Sequence, residues 1–306
     1  MQLILAFFRL VRWQNLLFIV LTQVLFYFCI YDSVYSSPVG LVNFFWLIIA
    51  SVFIAAGGYI INDYFDLNID QINKPKKNVI NSVISRRWAI VWHLVLSSLG
   101  ILATILAVGF QKWYLIIANA GCVLLLWLYS TSFKKQILIG NIVVSLLTAW
   151  TVLIIFFFTI PVRAALTGGD ESIIKFLRIT ILYTAFAFII SLIREALKDI
   201  EDMKGDITYG CKTLPIVAGV IASKIYIGVW TVVLLAALII LQLYIIQFGW
   251  WWAIIYAMLF IVTPLTGLLF KLQKASYPVQ FGYLSSISKR IMLAGILSMI
   301  FFKLYF

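Results

Sequence analysis

The feature that most constrains this chain is a series of long apolar stretches. A helix needs about 20 mostly apolar residues to cross a bilayer core of roughly 30 Å. The stretches lie near residues 14–31, 42–61, 89–110, 113–129, 138–160, 176–193, 214–246, 250–270 and 287–306. The sequence therefore predicts an all-α integral membrane protein with nine transmembrane helices, in a single polytopic domain over 1–306. A short interfacial helix is expected ahead of the first span, because Arg9 and Arg12 alternate there with apolar residues.

The composition excludes most soluble classes of protein. Apolar residues make up 64% and charged residues 11% of the 306 residues, against roughly 45–50% and 25% in soluble proteins. Too few polar side chains are present to cover a compact body in water. A nucleic-acid-binding domain is excluded for the same reason, despite a net charge of +12. The scattered cysteines Cys29, Cys122 and Cys211 show neither a disulfide framework nor zinc-site spacing.

The basic residues predict the orientation of the chain in the membrane. All but five of the 23 Lys and Arg residues fall in the N-terminal segment and in the loops after the second, fourth, sixth and eighth spans. Cytoplasmic loops carry such an excess of Lys and Arg. We therefore expect the N-terminus in the cytoplasm and, after nine crossings, the C-terminus outside. The five exceptions are Lys112, Arg163, Lys175, Arg178 and Lys303.

Most of the acidic residues lie in two cytoplasmic segments. The first follows the second span and holds Asn62, Asp66 and Asp70 at positions i, i+4 and i+8, which share one face of a helix. Like charges on one helical face repel each other, so a positive group must offset them. An array of oxygen ligands without nitrogen or sulfur suits a hard cation such as Mg²⁺, which takes one or two carboxylates together with phosphate oxygens.

The second acidic segment follows the sixth span. Asp199, Asp202 and Asp206 occupy positions i, i+3 and i+7 of one helical face, and basic residues interleave with them. Carboxylates from the two segments would together hold a metal that bridges a diphosphate, and the cations would neutralise the remaining negative charge. We therefore expect the two segments to meet across one cavity mouth near the cytoplasmic side.

Other metal and nucleotide motifs do not fit these residues. Asp66-x-Asn68-x-Asp70 matches part of an EF-hand, but Gln71 stands where the loop requires glycine and Lys77 where it requires glutamate. The chain contains no Walker glycine-rich loop and no His/Cys set for zinc. His93, which is the single histidine, lies in an apolar span and is expected to be a packing residue.

At these residues the sequence resembles the UbiA-type intramembrane prenyltransferase superfamily, which is known for nine transmembrane helices and two aspartate-rich motifs. The motif N-x-x-x-D-x-x-x-D matches Asn62 to Asp70, and D-x-x-x-D matches Asp202 to Asp206. Supporting matches are Arg12-x-x-Asn15 and Asn73-Lys74-Pro75. The run from Lys198 to Asp206, followed by Gly210-x-Lys212-Thr213-Leu214-Pro215, looks most like the branch of digeranylgeranylglyceryl phosphate synthase.

The resemblance implies Mg²⁺-dependent transfer of a prenyl group from a polyprenyl diphosphate to an acceptor within the membrane. In that reading Tyr129 stabilises the allylic cation through its ring, and Lys198 steadies the departing diphosphate. The implied catalytic residues are Asp66, Asp202, Tyr129 and Lys198. The implied substrate-binding residues are Arg12, Asn15, Lys74, Lys134, Arg194 and Lys212. The implied metal ligands are Asn62, Asp66, Asp70, Asp199, Asp202 and Asp206.

The acceptor and the broader function class leave alternatives. The branch favours a glycerol-phosphate-type hydroxyl acceptor. The run Lys76-Lys77-Asn78-Val79 departs from the proline- and arginine-rich run of many relatives, so an aromatic acceptor of the hydroxybenzoate or naphthoate type remains open. An ion-coupled transporter is the main rival, because acids in membrane proteins often mark ion pathways. Transporter sites lie near the bilayer midplane, whereas these acids gather at one rim.

Overall fold

The described part of the chain is helical throughout its regular structure. The computed structural model describes residues 2–35, 40–73, 84–162 and 170–305, and these ranges contain no β-strand. The helices are α1 (Gln2–Leu10), α2 (Trp13–Val34), α3 (Leu41–Asn73), α4 (Arg86–Val108), α5 (Phe110–Thr131), α6 (Ile139–Thr159), α7 (Glu171–Thr208), α8 (Leu214–Val217), α9 (Gly219–Ile246), α10 (Trp251–Lys274), α11 (Pro278–Leu297) and α12 (Ile300–Tyr305).

Eight of the described helices are long and apolar enough to cross a membrane, and they correspond to the first eight predicted spans. They are α2 to α7, α9 and α10. The predicted ninth span over 287–306 differs in the structure. Helix α11 begins earlier, at Pro278, and ends at Leu297, and the separate helix α12 begins at Ile300. The polar start of α11 and the pair Lys289 and Arg290 explain why this helix is less apolar than the others.

The predicted seventh span, over 214–246, is also divided. Its first residues form the short helix α8, which has Pro215 in its first turn. Gly219 then adopts a φ of +85°, a left-handed conformation that favours glycine. The long helix α9 starts only at this residue. Of the two helices, α9 is the one long and apolar enough to cross a membrane.

Helices α3, α4 and α5 pack closely through glycines. A Cβ atom at Gly57 of α3 would lie 2.9 Å from Ser97 Oγ, and one at Gly100 of α4 would lie 2.7 Å from Ile54. Small residues allow membrane helices to approach in this way. His93 is buried between the two helices with its Nδ1 2.9 Å from the carbonyl oxygen of Gly57, so the prediction that it is a packing residue is confirmed.

Helix α7 contributes to two separate parts of the core. Its C-terminal half packs with α9, α10 and α11, where Leu197, Ile227 and Ile291 are fully buried. Its first half packs against an aromatic cluster that includes Phe26 and Phe156. Because α7 joins both regions, it is positioned to carry side chains into the space between them.

The two helices that carry the acidic motifs are longer than a bilayer core requires. Helix α3 has 33 residues and α7 has 38, so they measure about 50 and 57 Å at 1.5 Å per residue. A hydrocarbon core is roughly 30 Å thick. Both motifs lie near the C-terminal ends of these helices, and the prediction that each motif continues a span as a helix is confirmed.

Candidate functional site

The first acidic motif is organised around Asp66. Its carboxylate is buried, with 3% of the residue exposed. Oδ2 accepts a hydrogen bond from Asn62 Nδ2 at 2.7 Å, one helical turn earlier on α3. The same oxygen also accepts a hydrogen bond from the ammonium of Lys134. Lys134 therefore supplies the positive charge that the repulsion between the motif aspartates requires.

Lys134 lies in the turn Phe133–Lys135 that connects α5 to α6. Burial alone would lower the pKa of its ammonium group, but the adjacent Asp66 carboxylate outweighs this and raises the pKa well above its ordinary value. The turn is tight against α6, because a Cβ atom at Gly140 would lie 3.0 Å from the Lys134 backbone. The ammonium is therefore charged and its backbone is held in place.

Asn62 presents an oxygen with no assigned partner. Its amide nitrogen is used by Asp66, whereas Oδ1 is buried and has no hydrogen-bond partner among the described residues. A buried acceptor that lacks a donor is costly. The amide oxygen beside a carboxylate is thus free to take a cation or another donor.

Arg12 approaches the same helix from the N-terminal side. It adopts a φ of +51° at the junction of α1 and α2, and its Nη2 donates to Asp63 Oδ1 at 2.6 Å. Its guanidinium also lies 5.3 Å from the centre of the Tyr59 ring. Asn15, one turn further along α2, accepts a hydrogen bond from Lys289 Nζ at 2.9 Å.

The second acidic motif lies on the last turns of α7. Asp199 Oδ2 accepts a hydrogen bond from Asn141 Nδ2 of α6 at 2.8 Å. Asp206 is buried, with 5% of the residue exposed, and its carbonyl oxygen accepts from Cys211 N at 3.0 Å. The carboxylate of Asp199 is thus held by α6, and the backbone at Asp206 is held by the segment after α7.

Two of the predicted phosphate-binding cations are already paired. Arg194 Nη1 and Lys198 Nζ both donate to Glu195 Oε1, at 2.8 and 2.6 Å. Glu195 is itself buried, with 8% of the residue exposed. One carboxylate therefore shares its charge between two cations, which leaves part of their positive charge uncompensated.

Asn73 joins the two motif-bearing helices. Its Nδ2 donates to the carbonyl oxygen of Asp202 at 2.9 Å, and its Oδ1 accepts from Gly205 N at 2.8 Å. A Cβ atom at residue 205 would lie 2.6 Å from this amide group, so glycine is needed for the close approach. The ends of α3 and α7 are therefore fastened together, as the sequence predicted for the segments that contain the two motifs.

The segment after α7 is fastened to the Lys134 turn. Lys212 N donates to the carbonyl oxygen of Lys135 at 2.8 Å, whereas the residue as a whole is exposed. This backbone contact brings the loop of the second motif to the turn that pairs with the first. Lys74, the remaining predicted site residue, lies outside the described residues.

A cavity of about 260 Å³ lies among α2, α3, α5, α6, α7 and α11. Along α7 its lining runs from Tyr183 to Lys198, a distance of about 22 Å. At one end are polar side chains from five helices (α2, α3, α5, α7 and α11), and towards the other the lining is mostly apolar and aromatic. The polar end includes Arg12, Asn15, Asn62, Tyr129, Arg194 and Lys198.

Tyr129 links the cavity to both motifs. It lines the cavity, and its hydroxyl interacts electrostatically with Lys134, Glu195, Asp66 and Asp199. The structure thus brings six of the predicted site residues, Arg12, Asn15, Asn62, Tyr129, Arg194 and Lys198, to one end of the cavity. Asp66 lies beside this end, since it accepts a hydrogen bond from Asn62, but the lining of the cavity contains none of Asp66, Asp70, Asp199, Asp202 and Asp206.

Several residues at this end were not predicted from the sequence. Lys289 of α11 lines the cavity, and Asn141 and Glu195 hold side chains of the site. Lys289 had a signal in the sequence, because a lysine inside a predicted membrane span is unusual. Asn141 had none, since a lone amide in an apolar helix does not show which carboxylate it contacts.

Among the described residues, no three His, Cys, Asp or Glu side chains are grouped closely enough to hold a metal ion by themselves. Mg²⁺ does not require such a group, because it usually keeps several waters and binds one or two carboxylates together with substrate phosphates. Side-chain oxygens of this kind lie at the Asn62–Asp66 pair and on the motif near the end of α7.

Comparison with known sequences identifies a family over most of the chain. Residues 20–287 match the UbiA prenyltransferase family. Digeranylgeranylglyceryl phosphate synthase of Thermococcus sibiricus is 36% identical over 167 residues, which cover 55% of this chain and 53% of the relative. The enzyme of the same name from Sulfurisphaera tokodaii is 37% identical over 179 residues, covering 57% and 56%. The matched region spans about half the length of these curated relatives.

Solved structures agree with the family match. One solved structure, from work on digeranylgeranylglyceryl phosphate synthase in membranes, matches with a TM-score of 0.60 and 25% sequence identity. The match covers 98% of this chain and 99% of the other. A UbiA homolog from Archaeoglobus fulgidus bound to GPP and Mg²⁺ has a TM-score of 0.60 and 17% identity, with 96% and 99% covered. The chain belongs to the UbiA prenyltransferase family.

Proposed function

We propose that the protein transfers a prenyl group from a polyprenyl diphosphate to a small or lipid acceptor within the membrane and releases diphosphate. The acceptor we propose is a hydroxyl of a glycerol-phosphate-type compound, in keeping with the names of the curated relatives. The whole of 1–306 acts as one domain in this proposal. The partners are the two substrates and the surrounding lipids, without nucleic acid.

The observation that carries the proposal is that Asn62 and Lys134 both bind the carboxylate of Asp66. Asn62 lines the cavity, and Asp66 lies one turn behind it with Lys134 on its carboxylate. A diphosphate at the polar end of the cavity would meet oxygen ligands for a cation and an ammonium group together. Its prenyl tail would extend along the apolar lining towards Tyr183.

The residues present fit Mg²⁺. The buried oxygen Asn62 Oδ1 has no described partner, and it stands beside a carboxylate, as a hard cation requires. The residues that would hold the ion are Asn62, Asp66, Asp70, Asp199, Asp202 and Asp206. When bound, Mg²⁺ would withdraw negative charge from the diphosphate and so improve it as a leaving group.

The chain's own residues would perform the remaining steps. Lys134, Lys198 and Lys212 bind the diphosphate oxygens, with Lys74 as a further proposed contact. As the allylic C–O bond breaks, the ring of Tyr129 stabilises the positive charge on the prenyl carbon, an effect of about 0.5–2 kcal/mol. The acceptor oxygen then forms the new C–O bond, and its proton leaves with the diphosphate. The apolar lining excludes water, which would otherwise capture the cation.

The proposal includes a membrane topology. The N-terminus lies in the cytoplasm and the C-terminus outside, with α11 and α12 providing the ninth crossing. The polar end of the cavity then opens near the cytoplasmic side. The excess of Lys and Arg in the corresponding loops supports this orientation. Labelling single introduced cysteines from either side of sealed vesicles would test it.

The activity is tested with purified protein, Mg²⁺ and a radiolabelled prenyl diphosphate, offered a panel of glycerol-phosphate and aromatic acceptors. We expect labelled product and released diphosphate with the glycerol-phosphate acceptor, and loss of both after addition of EDTA. Asp66→Asn and Asp202→Asn should abolish transfer, whereas Asn68→Ala, on an exposed position of the same helix, serves as the matched control. Normal turnover by both aspartate variants would contradict the assignment of the site.

A further inference from the structure

We propose that Lys289, together with Arg12 and Arg194, binds a phosphate monoester group on the acceptor, at a position separate from the donor diphosphate. This inference rests on the proposed prenyl transfer and assigns one substrate group to residues of this chain. It concerns a residue of α11, which lies outside both acidic motifs.

The three cations lie at the same end of the cavity. Lys289, Arg12 and Arg194 all belong to its lining. Arg194 and Arg12 are also the charged groups that act on the Lys289 ammonium. Three like charges that face one partly enclosed space repel one another, and an anion bound between them would remove this repulsion.

The described carboxylates do not neutralise this group. Arg12 is paired with Asp63, and Arg194 shares Glu195 with Lys198. Lys289 donates instead to the neutral amide oxygen of Asn15 and lies 5.2 Å from the centre of the Phe18 ring. Among the described residues it forms no ion pair.

The remaining charge fits a phosphate monoester. Three cations (Arg12, Arg194 and Lys289) face two carboxylates, Asp63 and Glu195, and Glu195 also binds Lys198, so positive charge is left over. A phosphate monoester carries about −1.5 to −2 at neutral pH and offers three strong acceptor oxygens, one for each cation, whereas the carboxylate of an aromatic acid offers two oxygens and one negative charge. The excess charge and the three donors therefore favour a phosphorylated acceptor over a carboxylated one.

The position also separates the two anions. Lys134 is bound to Asp66, which also accepts from Asn62 of the cavity lining, whereas Lys289 is bound to Asn15 of α2. The donor diphosphate is assigned to Asn62, Lys134 and Lys198. The acceptor phosphate is assigned to Arg12, Arg194 and Lys289, towards α2 and α11.

The inference is tested with two acceptors that differ only in the phosphate, a prenylglycerol phosphate and the corresponding prenylglycerol. In Lys289→Met we expect the KM for the phosphorylated acceptor to rise roughly 10–100-fold, the usual effect of losing a hydrogen bond to a charged group. The KM for the donor and the rate with the unphosphorylated acceptor should not change. Lys289→Arg should restore most of the affinity.

Arg290→Met is the matched control, because Arg290 adjoins Lys289 but is exposed and does not line the cavity. Thermal unfolding in detergent shows whether each variant is folded. Binding of the phosphorylated acceptor without donor, measured by calorimetry, gives a second readout that does not depend on turnover. We expect it to weaken in Lys289→Met and to be normal in Arg290→Met.

Four results would each overturn the inference, and three of them concern the donor and the two matched acceptors. They are a rise in the donor KM alone, an equal effect on the two acceptors, and normal binding of the phosphorylated acceptor by Lys289→Met. A larger effect of the substitution on a carboxylated aromatic acceptor would also overturn it. If the wild-type protein binds the phosphorylated acceptor through Lys289 but transfers no prenyl group, the proposed function fails and the binding site stands.

Discussion

The side chain of Asn73 lies directly against the backbone of Gly205. Its Oδ1 accepts from Gly205 N at 2.8 Å, and a Cβ atom at residue 205 would approach its amide nitrogen to 2.6 Å. The two residues are 132 positions apart in the chain. This contact closes the gap between the helices that carry the two acidic motifs, so we infer that it keeps the motifs in register.

This relationship predicts a specific pattern of coupling between the two positions. Asn73→Ala should lower stability by about 1–2 kcal/mol through loss of the hydrogen bonds, and Gly205→Ala should lower it by a similar amount through the clash. Both single variants should also raise the KM for the prenyl diphosphate, because the motifs would no longer be held together. Thermal unfolding and donor kinetics give the two measurements.

The double variant decides between a direct contact and independent effects. Without the Asn73 side chain there is room for a methyl group at residue 205, so the effects in the double variant should be clearly less than additive. Asn68→Ala combined with Gly205→Ala supplies the additive reference, because Asn68 is exposed on the same helix. Additive effects in the Asn73/Gly205 pair would show that the contact does not couple the motifs.

The Lys134–Asp66 pair predicts that Mg²⁺ will compensate for a lost lysine. In Lys134→Met the buried Asp66 carboxylate loses its cation, which costs about 3–5 kcal/mol when a buried pair is broken. Added Mg²⁺ should restore part of this stability, because it offers a new positive charge to the same oxygen. We therefore expect a larger Mg²⁺-dependent rise of the Tm in Lys134→Met than in the wild type.

Lys135→Met is the control for this experiment, because Lys135 is the exposed neighbour of Lys134 in the same turn. Its Tm should respond to Mg²⁺ as the wild type does. Lys134→Met combined with Asp66→Asn should lose the enhanced response, since the carboxylate that attracts the ion is then absent. An equal Mg²⁺ response in all these variants would place the ion away from Asp66.

Much of this arrangement follows from local pattern in the sequence. Hydropathy locates the eight long helices, and the spacing of Asn62, Asp66 and Asp70 places them on one face of α3. Spacing cannot show that Asn141 donates to Asp199 or that Lys289 reaches Asn15, because these contacts join residues 58 and 274 positions apart. Such pairs depend on how the helices pack, and one sequence does not contain that information in any local form.

The ninth predicted span shows where hydropathy alone is insufficient. The apolar residues near the C-terminus suggested a helix over 287–306, but α11 starts at Pro278 and ends at Leu297. A proline in the first turn is a sequence signal for a helix start. The first residues of this helix are too polar for a hydropathy window to recognise them as part of a membrane span. The same helix nevertheless carries Lys289, which lines the cavity.

The contact between α3 and α4 predicts that Ser97 limits the size of residue 57. Gly57→Ala should destabilise the protein, because the new Cβ atom would lie 2.9 Å from Ser97 Oγ. That hydroxyl is buried without a hydrogen-bond partner among the described residues, so Ser97→Ala should be neutral or stabilising by up to about 1 kcal/mol. The double variant should recover most of the wild-type Tm. Failure of Ser97→Ala to rescue Gly57→Ala would mean that α4 does not approach α3 this closely.

The lining of the cavity away from the polar end predicts how the length of the prenyl chain can be altered. Gly295 of α11 and Phe186 of α7 both line the cavity, and a Cβ atom at residue 295 would lie 2.3 Å from Phe186 Cε1. In Gly295→Ala the ring must therefore move. Because the new methyl group at residue 295 blocks the Phe186 ring on one side, we expect the ring to move into the cavity. The ring would then narrow the space that receives the end of the prenyl tail.

Gly295→Ala should consequently reduce transfer from a C20 diphosphate by about tenfold or more, the effect of roughly 1–3 kcal/mol of overpacking, while transfer from a C10 diphosphate changes little. The ratio of kcat/KM values for the two donors measures this directly. Phe186→Leu combined with Gly295→Ala should return the ratio towards the wild-type value, because the smaller side chain leaves room for the added methyl group. Gly267→Ala is the matched control, since a Cβ atom at that residue meets no other atom within 4 Å. A parallel loss of activity with both donors would show that Phe186 does not border the prenyl tail.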